Sequence, residues 1–397
     1  MGSQKAMSRL EYYDVKEFSA TLRNQQVRFC SKQGIPNWDR ITAGVRLLAD
    51  VVHTSPQAKI LLLGCGHGAL GVAFSHLVPL GDVVLTDTSY VAIKMAEMTI
   101  NINGISNASI WPGVSLFPSN TETFGTVAML LPKGREFTRR WLLEAFLALQ
   151  TRGRLWLAGP TREGVKSAIA DARTLFGNAE TVGYRGRERV AVAVKIGREP
   201  NVEGWAREAG ISPGTWHEFE ASLRGLHLRF RTLPNIFSHD RVDAGTTLLI
   251  QSMEIPHHAK VLDIGCGYGI IGIVASRMGA SHVDLIDSDL YSISAARENV
   301  IINRALNAEA FPSDLFNAVS DRKYDIILSN PPFHAGKATD FSMISTMIAD
   351  ARQILEPGGR LIVVSNKFLG YSRLLGASFE KVTCLHETPN YVVLSGE

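Results

Sequence analysis

The sequence predicts an α/β protein in which one doubly wound, mostly parallel sheet domain occurs twice. Three observations support this fold class: an internal duplication, an alternation of short apolar strands with helices, and a glycine-rich turn in each copy. A chain of 397 residues is long enough for two such domains.

The two copies are related by a shift of 201 residues. Between residues 28–71 and 229–272, 17 of 44 aligned positions are identical. Self-similarity of this extent identifies one domain type present twice. Prolines and glycines interrupt the pattern near 199–215. We therefore expect a first domain over 1–199 and a second over 200–397.

The second copy alternates strand and helix. Helices separate its strands, which is typical of βαβ units and a parallel sheet. Ligands of such sheets bind beyond the carboxyl ends of the strands. The expected strands are 260–264, 282–286, 324–328 and 360–365, and the expected helices are 270–277, 292–303 and 342–355.

Composition excludes several classes of protein. Hydrophobic residues make up 45% of the chain and charged residues 20%, which excludes wholesale disorder. No apolar run reaches the ~18 residues of a membrane helix, and the amino terminus does not resemble a secretory signal. The four cysteines are scattered, which argues against disulfides and a zinc site. We therefore expect a cytoplasmic protein that binds neither a membrane nor a metal.

Charge is distributed unevenly along the chain. Residues 1–200 hold 24 basic and 16 acidic side chains, and the remainder holds 17 basic and 22 acidic ones. The basic excess lies in 133–198. Clustered cations bind phosphates by releasing counterions, and a merely solvated face is the alternative interpretation. The candidate RNA contacts are Lys133, Arg135, Arg139 and Arg140.

The glycine turn of the second copy has two interpretations. The spacing Gly267-x-Gly269-x-x-Gly272, with Asp287 twenty residues after Gly267, matches a dinucleotide site. However, Asp263 places a carboxylate at the strand end, where it would repel a pyrophosphate and suit the α-ammonium of S-adenosylmethionine.

The second interpretation predicts a complete S-adenosylmethionine site. In it, Asp263 binds the ammonium, the turn approaches the ligand closely, Asp287 takes the ribose hydroxyls, and a serine–aspartate pair binds the adenine amine. The predicted residues are Asp263, Gly265, Gly267, Gly269, Asp287, Ser313 and Asp314.

The sequence Asn330-Pro331-Pro332-Phe333 follows a strand directly and decides between the two interpretations. Such a tetrapeptide is typical of methyltransferases that act on planar nitrogens. The Asn330 side-chain oxygen and the Pro331 carbonyl can each accept an N–H of an exocyclic amine, and Phe333 offers a stacking face. This is catalysis by positioning and electrostatics.

The first copy retains the fold signals but not these functional groups. Leu62 replaces Asp263, Ser115 replaces Asp314, and Leu130-Leu131-Pro132-Lys133 replaces the catalytic tetrapeptide. We expect this domain to bind RNA or to support the second domain without catalysing a reaction.

The chain resembles the small-subunit ribosomal RNA guanine-N2 methyltransferase family over nearly its whole length. The resemblance rests on the 263–269 turn, on Asn330 through Gly336, and on the segments 233–238, 243–246, 131–133 and 366–371. Asn235 and Gly370 depart from the family pattern, which has Gly and Pro there. The resemblance implies two tandem Rossmann-like class I methyltransferase domains, S-adenosylmethionine as cofactor, and a monomer acting on ribosomal RNA or a ribosomal subunit.

Other functions remain open from the sequence. The large-subunit guanine-N2 family shares this architecture, and the same acceptor pair can methylate adenine or a protein glutamine. A ribosome-assembly factor without catalysis is the alternative outside enzymes. An NAD oxidoreductase has little support, because no hydride-acceptor site is evident.

Overall fold

The computed structural model describes residues 12–111, 122–197, 199–200, 204–331 and 338–397, without the side chains of 338–341. Contacts divide the chain into two units. The first unit is Val15–Trp216, and the second unit is His217–Glu397 together with the described residues Tyr12–Asp14. The division falls after Trp216 rather than after residue 199, because the segment before it packs on the first unit, where Arg140 donates to the Gly210 carbonyl.

Within its described residues, the first unit has a β-hairpin followed by alternating strands and helices. Its strands are β1 (Lys16–Leu22), β2 (Gln25–Ser31), β3 (Lys59–Leu63), β4 (Asp82–Thr86), β5 (Ala108–Ile110), β6 (Phe124–Leu130), β7 (Leu149–Pro160), β8 (Glu180–Arg185) and β9 (Glu188–Val194). Its helices are α1 (Ala43–Val51), α2 (Ala69–Leu77), α3 (Tyr90–Ile102), α4 (Arg135–Ala148) and α5 (Val165–Phe176).

The second unit repeats this order. Its strands are β10 (His217–Leu223), β11 (Leu226–Thr232), β12 (Lys260–Ile264), β13 (His282–Asp287), β14 (Ala308–Pro312), β15 (Tyr324–Ser329), β16 (Leu355–Asn366), β17 (Val382–Glu387) and β18 (Tyr391–Gly396). Its helices are α6 (Ala244–Ser252), α7 (Ile270–Arg277), α8 (Leu290–Ile302), α9 (Ala338–Ile354) and α10 (Tyr371–Gly376).

Each unit contains a seven-stranded sheet of the same topology. The strand orders are β5-β4-β3-β6-β7-β9-β8 and β14-β13-β12-β15-β16-β18-β17. The first five strands of each order are parallel, and the last two add an antiparallel edge. The predicted doubly wound, mostly parallel class is confirmed.

The predicted bounds in the second unit agree with the structure to within two residues, except at the starts of α9 and β16. Strand 260–264 and helix 270–277 have the predicted bounds, but α9 begins at Ala338 rather than 342. β16 begins at Leu355, before the Pro357-Gly358-Gly359 turn predicted to separate helix from strand. The register between β15 and β16 shifts there, which places the turn residues in an irregular stretch of the strand.

The topology brings the predicted site residues to one edge. β12, β13 and β15 are adjacent and parallel, with Val261 opposite both Val283 and Ile326. Their carboxyl ends therefore carry Asp263, Asp287 and Asn330 side by side, beyond which ligands of such sheets bind. None of the described helices is long and apolar enough to cross a membrane.

Candidate functional site

The glycine turn after β12 leaves open space beside the backbone. Gly265, Gly267 and Gly269 have φ values of 70°, 55° and 89°, which favour glycine. A Cβ on Gly269 would lie 3.0 Å from Leu285, so this glycine also allows close packing. Among described atoms, none lies within 4 Å of a Cβ built on Gly265 or Gly267. The turn therefore has room for a ligand along its first two glycines.

Asp263 is fully buried beneath this turn. Its Oδ2 accepts the Gly272 backbone N–H at 2.8 Å, while Oδ1 accepts no hydrogen bond from the described residues. Burial raises the pKa of this carboxyl to about 7, against the opposing effect of the Gly272 bond. A buried acceptor without a donor is costly, so Asp263 fits a cationic ligand group.

Asp287 organises the turn from the neighbouring strand. Its Oδ2 accepts the Gly267 N–H at 2.9 Å and its Oδ1 accepts the Asp289 N–H at 2.8 Å. Burial raises the pKa of this carboxyl despite both bonds. Each carboxylate oxygen has a further lone pair, so a diol could still donate to Asp287.

Ser313 and Asp314 have different roles in the loop after β14. The Ser313 hydroxyl donates to the Leu315 carbonyl at 2.6 Å and accepts the Ala318 N–H at 3.1 Å. The side chain of Ser313 is thus engaged within its own loop. The Asp314 carboxylate is buried and accepts the Tyr12 hydroxyl at 2.8 Å.

Tyr12 is a site residue that sequence reasoning missed. Its side chain is buried, and its neighbour Tyr13 donates to Asp350 Oδ2 at 2.8 Å. Burial and the Asp314 carboxylate raise the pKa of Tyr12 well above its usual range, so the phenol stays protonated and donates. No local pattern could reveal a contact between residues 302 positions apart.

Asn330 is held in one orientation by hydrogen bonds. Its Nδ2 donates to Thr246 Oγ1 at 2.8 Å and to Asp243 Oδ2 at 3.3 Å. These two acceptors fix which end of the amide is nitrogen. The Oδ1 atom lies on the other branch of the planar amide as a hydrogen-bond acceptor, which is the role the sequence assigns to it.

The residues that orient Asn330 belong to the amino end of α6. Asp243 caps this helix by accepting the Thr246 N–H at 2.9 Å, and the same Oδ2 receives Asn330. In the sequence, 243–246 carries only a resemblance to the family. In the structure, this segment holds the Asn330 amide in its orientation. Pro331 is buried next to Asn330. Phe333, the predicted stacking residue, lies outside the described residues.

The first unit has the same turn without the functional groups. Asp87 accepts the Gly66 and Ser89 N–H groups at 2.9 Å, the pattern that Asp287 makes. Leu62 stands at the Asp263 position and is fully buried. Ser115, aligned with Asp314, lies outside the described residues.

Trp141 fills the space beside the first unit's glycine turn. A Cβ built on Gly64 would lie 3.2 Å from the Trp141 ring, whereas the aligned Gly265 has open space. The indole is buried and packs edge-on against Phe137. Leu130, at the Asn330 position, cannot orient an amine. The first unit thus keeps the fold of the site while losing its space and polarity.

Comparison with known proteins identifies the family. The methyltransferase small domain family matches residues 26–190 and again residues 227–395. The ribosomal RNA small subunit methyltransferase C of Chromohalobacter salexigens is 32% identical over 283 residues, covering 70% of this chain and 80% of its own. That of Pseudomonas fluorescens is 33% identical over 270 residues, covering 67% and 77%.

The chain belongs to the ribosomal RNA small subunit methyltransferase C family. A solved 16S rRNA N2 methyltransferase of T. thermophilus, in complex with AdoMet and guanosine, matches with a TM-score of 0.80 and 27% identity. The match covers 98% of this chain and 100% of that one. The resemblance inferred from the sequence motifs is confirmed, as is the tandem methyltransferase fold.

The two departures from the family pattern have local explanations. Asn235 donates from Nδ2 to Asp289 Oδ1 at 3.0 Å, a bond that glycine could not make. Gly370 has φ of 66°, which the fixed ring of proline could not adopt.

The basic residues predicted to contact RNA are not equivalent. Lys133 and Arg135 are exposed, but Arg135 and Arg139 both donate to the Asp171 carboxylate. Arg139 also lies over the Trp205 ring. Arg140 is 3% exposed, pairs with Glu144 at 3.2 Å and donates to Gly210. Burial corrects the prediction for Arg140, because a buried guanidinium cannot reach an RNA phosphate.

Replacing Arg140 should therefore affect folding. Arg140→Glu puts a second carboxylate beside Glu144, and we expect the free energy of unfolding to fall by ~3–5 kcal/mol, as when a buried ion pair is broken. Urea denaturation measures this. Lys133→Glu, at an exposed position, is the control and should change stability little. A stable Arg140→Glu variant with reduced RNA affinity would contradict the structural role.

Proposed function

We propose that this protein transfers a methyl group from S-adenosylmethionine to the exocyclic N2 of a guanine in 16S ribosomal RNA. The observation that carries the proposal is the oriented Asn330 amide, whose nitrogen is held by Thr246 and Asp243. The names of the relatives support small-subunit over large-subunit rRNA, and the bound guanosine of the T. thermophilus enzyme supports guanine over adenine or glutamine.

The chemistry requires positioning of a weak nucleophile. The N2 lone pair of guanine is delocalised into the ring, so the amine reacts poorly in its planar form. The Asn330 oxygen and the Pro331 carbonyl would each accept one N–H, which holds the nitrogen in place and favours its pyramidal form. Acceptors that are already oriented would stabilise the charge that develops on N2 without a general base, and the proton that the methylated nitrogen then loses would pass to water.

The second unit's residues fit S-adenosylmethionine. Asp263 Oδ1 would accept from the α-ammonium, the backbone at Gly265 and Gly267 would lie along the ligand, and Asp287 would accept from the ribose. Asp314 would accept from the adenine amine with lone pairs that Tyr12 leaves available. When bound, the cofactor supplies an electrophilic methyl group. Among the described residues, no group of three metal-ligating side chains occurs.

The orientation of Asn330 can be tested by methylation. Asn330→Ala should lower the methylation rate by ~10²-fold or more, the usual effect of losing one preorganised polar partner. Thr246→Val should give a smaller loss, because the amide then loses one of its two acceptors, and Thr246→Ser should restore activity. Incorporation of tritiated methyl into 16S rRNA and into small subunits measures the rate and maps the nucleotide.

Cofactor affinity, measured by calorimetry, should stay nearly unchanged in these three variants. Normal methylation by Asn330→Ala would exclude the acceptor role. Methyl incorporation at a base other than guanine would contradict the proposed substrate.

The raised pKa of Asp263 predicts a pH dependence of cofactor binding. The carboxyl titrates near 7 in the free protein, and a bound ammonium favours its ionised form. Below pH 7 a proton must leave on binding, so affinity should fall by up to ~10-fold per pH unit. Calorimetry in buffers of different ionisation enthalpy should detect this proton release.

Asp263→Asn is the control for that experiment. It keeps an acceptor for Gly272 but removes the titrating charge, so binding should weaken and its dependence on pH between 6 and 8 should flatten. Wild-type binding should show one site per chain. Two equivalent sites would contradict the loss of function in the first unit.

The Tyr12–Asp314 bond should affect recognition of adenine. Tyr12→Phe removes the hydroxyl and keeps the ring, and we expect S-adenosylhomocysteine to bind roughly 2- to 10-fold more weakly, as for one lost hydrogen bond. S-inosylhomocysteine lacks the amine and should show no further loss. Tyr13→Phe is the matched control and should change neither affinity. An equal loss for both ligands would indicate a purely structural role for Tyr12.

A further inference from the structure

The first unit has a cationic groove on the edge of its sheet opposite the glycine turn. It lies at the amino ends of β3 and β6 and at the start of β7, and encloses about 580 Å³. Its cations are Lys59, Arg152 and Arg154, and His53 also lines it. Within the described part of the unit, no acidic side chain lines the groove. Asp82, which pairs with Lys59 in sheet register, does not line it.

The duplication provides an internal comparison for this groove. Thr126 pairs with Arg154 in the first unit as Ile326 pairs with Arg360 in the second, which fixes the alignment of β7 with β16. Lys59 and Arg154 correspond to Lys260 and Arg360, so two cations are common to both units.

Most of the remaining positions also differ in charge, and one change goes in the other direction: Thr123, which lines the groove, replaces Lys323 and removes a cation. Where the second unit has Glu254, Asp325 and Glu356, the first unit has His53, Gly125 and Gln150, and so loses three carboxylates. Arg152 replaces Gly358 and adds a cation. The aligned surface therefore changes from three cations with three acids to three cations with none.

In the second unit, the corresponding side chains of Asp325 and Arg360 form hydrogen bonds with backbone groups of the same unit. Asp325 accepts the Lys260 N–H at 2.7 Å, and Arg360 donates to the Glu254 carbonyl at 2.8 Å. In the first unit Arg152 and Arg154 are exposed, and neither lies within ion-pair distance of a described acidic side chain. Their positive charge is therefore available to a ligand.

Arg152 has a backbone conformation that is unfavourable for residues other than glycine. Its φ is 67°, in the left-handed region, where the aligned Gly358 has φ of 80°. A residue other than glycine in this region costs stability. The fold does not require a cation at this position, because the aligned residue of the second unit is glycine.

We propose that this groove binds the phosphodiester backbone of the RNA substrate, an inference that rests on the proposed function. Its cations suit phosphate oxygens, and Gln57 and Gln150 beside them can donate hydrogen bonds to phosphate or sugar. Contacts of this kind position an RNA without reading its sequence. Arg152 and Arg154 belong to the basic stretch 133–198 and, unlike Arg139 and Arg140, have no acidic partner among the described residues.

The test is Arg152→Gly, which restores the residue of the sister unit. Affinity for a 16S rRNA transcript should fall roughly fivefold, and the slope of log affinity against log salt should decrease by about 0.7–0.9 for the lost phosphate contact. The melting temperature should stay the same or rise, because glycine adopts this φ without strain. Adding Gly125→Asp and Gln150→Glu should weaken binding further.

Arg187→Gln removes an exposed cation outside the groove and is the matched control. Unchanged RNA affinity in folded Arg152→Gly, or an equal loss in the control, would overturn the groove assignment.

Methylation assays on the same proteins separate the two proposals. We expect a higher KM for rRNA with unchanged kcat and cofactor affinity. If the wild type bound RNA through the groove but methylated no 16S rRNA, the proposed function would fail and the groove would stand.

Discussion

The bond between a strand-end carboxylate and the glycine turn is the interaction on which the rest of each unit depends. Asp87 binds the Gly66 N–H and Asp287 binds the Gly267 N–H, both at 2.9 Å. Each bond joins two neighbouring parallel strands at their carboxyl ends and fixes where the next helix starts. Because both units keep it, this bond serves the fold first. The hydrogen bond that positions Asp287 for a ligand therefore forms without that ligand.

The first unit differs from the second in the groups around this preserved frame. Leu62 removes a buried charge that would lack a counter-ion, and Trp141 fills the adjoining space. Both changes convert a cavity with an unsatisfied carboxylate into packed apolar core, which stabilises a domain without a cofactor. Asn330, Thr246 and Asp243 correspond to Leu130, Val45 and Thr42. Every member of that hydrogen-bond network is therefore replaced, and the one that stays polar, Thr42, accepts the Val45 N–H at 3.3 Å as the cap of its helix.

The sequence predicted what local signals specify. Strand β12, the glycine turn and the positions of Asp287 and Asn330 follow from periodicity and motif spacing, and the structure places them at one sheet edge. It did not predict contacts made by distant segments. Tyr12 reaches Asp314 across 302 positions, and Arg140 was assigned to the surface although its charge is neutralised in the interior. Composition counts charges but does not reveal which of them are buried.

The two units therefore differ in where their polar or charged groups without a partner lie. In the second unit such a group lies at the carboxyl ends of the strands, where Asp263 Oδ1 lacks a donor among the described residues, while at the amino ends the Arg360 guanidinium donates to the Glu254 carbonyl and the Lys260 backbone N–H donates to Asp325. The first unit has apolar packing at the carboxyl ends, and at the amino ends Arg152 and Arg154 have no acidic partner among the described residues. Unsatisfied groups are costly unless a ligand satisfies them. Their opposite placement therefore argues that duplication separated small-molecule binding from polyanion binding, each at one edge of the same sheet.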